Sequence, residues 1–122
     1  SGGAEQDHSG DISARETWQC LKSSADATLI DVRTRAEWSF VGIADLSTLG
    51  KECVLLEWQG YPSMELNAGF LATLEAELAR RGVGTDAQLF FMCRSGVRSA
   101  AAARAAQAAG WKHCFNVAAG FE

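Results

Sequence analysis

Leu89-Phe90-Phe91-Met92 runs directly into Cys93-Arg94-Ser95-Gly96-Val97-Arg98-Ser99, and an alanine-rich stretch then continues to Ala109 and Gly110. The first four residues are an apolar run that suits a strand buried on both faces. The segment from about Arg98 to Ala109 reads as a helix that ends at Gly110, and its small side chains allow close approach to a sheet. A cysteine therefore stands where a buried strand turns into a helix.

Working outward, Thr28-Leu29-Ile30-Asp31-Val32 is a second short apolar and β-branched run, read as a strand, and Arg35 to Phe40 follows as a helical turn. Cys53-Val54-Leu55-Leu56-Glu57 and His113 to Val117 supply two more strand candidates. Ser13-Ala14-Arg15-Glu16 has the form of a capping box, in which Ser13 and Glu16 each satisfy a free backbone N–H of the other. It predicts a helix through about Ser23 with Trp18 and Leu21 on one face. After Gly60-Tyr61-Pro62, Asn67 reads as a helix cap, and Phe70, Leu71, Leu74 and Leu78 recur at helical spacing until Gly82. Strands alternating with helices predict one α/β domain with a central, largely parallel sheet flanked by helices.

Composition agrees with one domain. The 122 residues are 48% hydrophobic and 21% charged, the balance of a globular chain that buries a core without staples. No apolar run approaches the about 18 residues that span a bilayer, so no membrane partner is expected. Net charge −4 speaks against nucleic acid as a partner. The charge is unevenly placed: residues 87–122 carry Arg94, Arg98, Arg104 and Lys112 against Glu122 alone. That basic end surrounds Cys93 and suits a small anion. Ser1-Gly2-Gly3-Ala4 reads as a cloning scar within an N-terminal tail, residues 1–11, ahead of a domain at 12–122.

Cys20, Cys53, Cys93 and Cys114 include no C-x2-C pair, so neither a metal knuckle nor a thioredoxin-like motif is expected. Isolated cysteines in such a domain are those of a reducing, cytoplasmic compartment, and Cys20, Cys53 and Cys114 are read as structural. Cys93 is different. Ligands of open α/β sheets bind beyond the carboxyl ends of the strands, and the loop N–H groups together with a helix N-terminus converge there on the sulfur. Both favour thiolate, as do the guanidinium groups of Arg94 and Arg98, and Gly96 permits the tight turn. Ser95 and Ser99 add hydroxyls, and Val97 completes the loop.

The run Cys93 to Ser99 resembles the active-site loop of rhodanese-homology domains. Asp31-Val32-Arg33-Thr34-Arg35-Ala36-Glu37-Trp38 is similar to that family's other signature, and Asn116-Val117-Ala118-Ala119-Gly120-Phe121-Glu122 resembles its closing strand and turn. The resemblance implies a sulfurtransferase: the Cys93 thiolate takes the outer sulfur of thiosulfate or a related donor, and the persulfide passes it to cyanide, a thiol or an acceptor protein. Arg94 to Ser99 would bind the anionic donor, and no metal or organic cofactor is implied. Asp31, Arg33 and Glu37 are read as structural, Arg33 and Glu37 having the four-residue spacing of an ion pair. Trp38, Trp58 and Tyr61 are candidates for core or pocket mouth, and Trp111 for packing behind the active-site helix.

Two other classes stand beside this reading. One is a non-catalytic module that binds a partner or senses oxidants through Cys93. The other is a cysteine-based phosphatase or arsenate reductase. These phosphatases use C-x5-R, a loop sized for bidentate hydrogen bonds to a phosphoryl group; here Arg98 arrives after C-x4 and Ser99 holds the next place. The chain departs from the family in carrying Phe40-Val41-Gly42-Ile43-Ala44 where a histidine and a glycine-alanine pair are usual. The family also continues into a further C-terminal segment, expected beyond Glu122.

Overall fold

The computed structural model describes residues 10–40, 42, 46–60, 65–66, 69–93 and 97–117. Five parallel strands form the sheet, in the order β1-β7-β6-β2-β3. They are β1 Gly10–Ile12, β2 Thr28–Asp31, β3 Val54–Leu55, β6 Gln88–Met92 and β7 His113–Val117; β4 Gln59–Gly60 and β5 Glu65–Leu66 make a separate antiparallel pair. The helices are α1 Ala14–Ser23, α2 Arg35–Phe40, α3 Phe70–Arg80 and α4 Val97–Ala108.

Both faces of the sheet are covered, which is why its central strands read as unbroken apolar runs. Leu89, Phe91 and Cys93 point to one face, where they join Phe70, Leu74 and Leu78 of α3 and Ala102, Ala103 and Ala106 of α4. Phe90 and Met92 point to the other and pack with Leu21 of α1, Leu29, Leu46 and Val117. Ala102, Ala103 and Ala106 of α4 are wholly buried, so their small side chains do set a helix close against the sheet. Trp111 packs in the α4 cluster as expected, and Trp58 meets Phe70 edge to face at 5.0 Å.

Local rules explain the helix ends. The Ser13 capping box is formed: Glu16 N–H donates to Ser13 Oγ at 3.1 Å, and Ser13 N–H to Glu16 Oε1 at 3.3 Å. Helices α3 and α4 close by the same device. Gly82 and Gly110 take positive φ of 73° and 116°, and the next residues turn back, Val83 N–H to Leu78 O and Trp111 N–H to Ala106 O.

Three differences from the sequence reading stand out. Gly10 and Asp11, assigned to the tail, belong with Ile12 to an edge strand paired with Phe115–Val117. The strand expected over Cys53–Glu57 is regular only at Val54–Leu55, although Leu56 and Trp58 N–H still donate to Asp31 and Val32. Helix α3 begins after Gly69, and Asn67, the expected cap, lies outside the described residues, as does Tyr61.

Candidate active site

Strands β2 and β6 lie side by side, but the chain leaves them in opposite directions, from β2 toward β3 and from β6 through α4 to β7. A crevice opens at such a switch point, beyond the carboxyl ends of the strands. The segment after β2 brings Arg33, Thr34 and Glu37 to it; the segment after β6 brings Cys93, Arg98 and Ser99.

Cys93 is fully buried at the end of β6. Its sulfur accepts the Ser99 N–H at 3.3 Å, and the Ser99 hydroxyl lies at 3.3 Å from the same atom. Ser99 is the third residue of α4. First-turn N–H groups of a helix have no partner inside it, and here the sulfur takes the place that a capping oxygen would hold. The partial positive charge of the helix end falls on that sulfur. Ser99 Oγ donates onward to Asn116 Oδ1, and Asn116 Nδ2 donates to Asp11 Oδ1 at 3.1 Å.

Arg98, one residue earlier, reaches back across the crevice. Its Nη1 and Nη2 donate to the two carboxylate oxygens of Glu37 at 2.8 and 3.0 Å. Glu37 also accepts the N–H and hydroxyl of Thr34 at 2.9 and 3.0 Å. These bonds, the Arg98 pair foremost, outweigh partial burial and hold the Glu37 carboxyl down at about 2. The Arg98 guanidinium is pushed up, first by its hydrogen bonds to Glu37 and further by the negative charge of Asp31.

The pairing expected between Arg33 and Glu37 gives way to two others. Arg33 turns to Asp31, donating from Nε and Nη2 at 2.9 and 2.6 Å, and to the Gly42 carbonyl at 2.6 Å. Both partners are buried, so the pair is a brace beneath the crevice. Glu37 is thereby left for Arg98, 61 positions away. Arg94, Ser95 and Gly96 lie outside the described residues, as does the Val97 side chain.

The remaining cysteines differ from Cys93 in setting. Burial pushes the Cys114 and Cys53 thiols up to about 12, which leaves them inert at neutral pH. Cys20 is half-buried against the core on the α1 side, and no cysteine is in a disulfide. Among the described residues no cluster of three or more His, Cys, Asp or Glu side chains is placed to hold a metal. No helix there is long and apolar enough to cross a membrane.

The sequence reading missed Asn116 and Asp11 as parts of the site. A polar residue on an otherwise apolar strand was the available signal for Asn116. Nothing local marked Asp11, 105 positions away.

A family model for the rhodanese-like domain matches residues 13–122. The chain is 38% identical over 111 residues to the uncharacterized protein RC0915 of Rickettsia conorii, covering 91% of this chain and 82% of that one. It is 34% identical to RP600 of Rickettsia prowazekii with the same coverage. Its fold is similar to the crystal structure of Rv0390 from M. tuberculosis, with a TM-score of 0.80, 41% identity, and coverage of 94% of this chain and 81% of that one. The polysulfide-sulfur transferase homodimer of Wolinella succinogenes shares the fold at a TM-score of 0.60 and 23% identity, over 94% of this chain and 71% of that one. On the family match across nearly its whole length, the chain belongs to the rhodanese-like domain family.

Proposed function

We propose that this domain is a sulfurtransferase that moves sulfane sulfur from thiosulfate, or a related small anionic donor, to a thiophilic acceptor through a Cys93 persulfide. The observation that carries this reading is the Ser99 N–H donated to Cys93 Sγ from the first turn of α4 at 3.3 Å. A helix N-terminus aimed at a sulfur favours its anionic forms, thiolate and persulfide.

In the first step the Cys93 thiolate attacks the outer sulfur of thiosulfate. The new S–S bond replaces the one to the sulfonate sulfur, and sulfite leaves with the electron pair, giving Cys93–S–S⁻. In the second step cyanide, or the sulfur of a thiolate, attacks the terminal sulfur and the Cys93 thiolate leaves. This is covalent catalysis with no net proton or electron gain. Arg98 supplies positive charge beside the sulfur while Glu37 fixes its direction. Thiols at all four cysteines favour a reducing, cytoplasmic setting.

Full burial of Cys93 supports a second reading, a module that binds a partner without turnover. Thiocyanate formation from thiosulfate and cyanide separates the two. The enzyme reading expects turnover that Cys93→Ser abolishes; a folded wild type that forms no thiocyanate favours the binding module.

A further inference from the structure

The hydrogen bonds behind Cys93 have a direction. A carboxylate accepts and does not donate, so Asp11 Oδ1 fixes the Asn116 amide with Nδ2 toward itself. Asn116 Oδ1 then faces Ser99, and the single Ser99 hydroxyl proton goes to it. What Ser99 Oγ offers to the sulfur 3.3 Å away is a lone pair. A thiol satisfies that lone pair by donating its proton. A thiolate does not, unless the Ser99 hydroxyl turns toward sulfur and leaves Asn116 Oδ1, on a residue 6% exposed, without that donor.

We propose that Asn116, oriented by Asp11, is a positioning residue that sets the direction of the Ser99 proton and so holds Cys93 as a thiol at rest. Thiolate formation is coupled to rotation of the Ser99 hydroxyl. The inference deepens the sulfurtransferase reading by naming what regulates its nucleophile, but the network acts on the thiol whether or not sulfur is transferred. It opposes the α4 N-terminus and Arg98, which favour thiolate. The described charged groups around the sulfur are Arg98 of α4, with Glu37 of α2 and Asp31 of β2 facing it, Arg33 bound to Asp31, and Asp11 of β1 behind Asn116.

The test is the pH titration of the Cys93 thiolate, followed by far-ultraviolet absorbance of the folded protein with Cys93→Ser as the blank. Asn116→Leu removes the competing acceptor, so the Ser99 hydroxyl serves the sulfur. The thiolate fraction at a fixed pH below the midpoint is expected to rise about tenfold, the worth of one hydrogen bond to a charged group. In a Ser99→Ala background the same substitution has no hydroxyl to release, and the rise disappears. Asp11→Leu, at an exposed position, frees the amide to flip and covers the case in which Asn116→Leu does not fold. Its loss of charge acts in both backgrounds, but the part due to proton direction acts only where Ser99 is present.

An unchanged thiolate titration in Asn116→Leu overturns the proposal. So does a rise of equal size with and without the Ser99 hydroxyl, for either variant. Thiosulfate loading is a separate readout: a protein that shows the predicted titrations and takes up no sulfur retains this inference and loses the sulfurtransferase reading.

Discussion

Arg98 and Glu37 join the two segments that leave the sheet at its switch point, the guanidinium of one facing both carboxylate oxygens of the other at 2.8 and 3.0 Å. The pair crosses the crevice beside Cys93, and Thr34 holds its acidic partner in place. It fixes the distance between α2 and the first turn of α4, and so the setting of the sulfur.

Glu37→Gln keeps the shape and removes the charge. It is expected to destabilise the domain by about 1.5–3 kcal/mol, the range for hydrogen bonds to charged groups. The deficit depends on pH. The folded-state pKa of about 2 lies below the ordinary 4.5, so the stabilisation is full above about pH 4.5 and fades as pH falls toward 2. Urea midpoints of both proteins across that range check this, with the two curves converging in acid.

Arg98→Ala removes the cation beside the sulfur and leaves Glu37, among the described residues, with Thr34 as its hydrogen-bond partner. Thiosulfate use is expected to fall by at least tenfold, more than the loss of folding stability explains. Arg98→Lys keeps charge without the planar fork and is expected to recover only part of the rate. Steady-state kinetics on folded variants checks both, and unchanged thiosulfate kinetics in Arg98→Ala contradicts the role.

Asp31→Ala strands the Arg33 guanidinium in a buried site with Gly42 O as its remaining hydrogen-bond acceptor among the described residues. Breaking one side of a buried pair costs about 3–5 kcal/mol. The expected result is a large drop in the urea midpoint with an unchanged slope.

How much of this was legible in the sequence follows from range. The Ser13 capping box, the Gly82 and Gly110 helix ends and the buried β6 run are local patterns, and each formed where the residues implied. Strand β1 was not legible, because Gly10-Asp11-Ile12 offers one apolar side chain and exists as a strand only through β7, over a hundred residues on. The partner of Glu37 was misassigned for the same reason: sequence spacing favours Arg33, four residues away, while the fold delivers Arg98. Cys93 was legible from its junction between strand and helix, but the Asn116–Asp11 pair behind Ser99 needs the sheet order to be seen.

Native thiol labelling offers a simple check on the cysteines. Cys53 and Cys114, both pushed up to about 12 by burial, are expected to resist iodoacetamide at neutral pH while the domain is folded and to react once it is unfolded. Peptide mass mapping distinguishes them, and rapid native modification of Cys114 contradicts the placement of β7 in the core.

The central claim is that Cys93 holds the transferred sulfur, and intact-protein mass after incubation with thiosulfate tests it most directly. A gain of one sulfur atom (~32 Da) is predicted, reversed by cyanide and absent in Cys93→Ser, as covalent catalysis by this thiolate requires. A folded wild-type protein that gains no mass, or a Cys93→Ser variant that gains it, contradicts the claim.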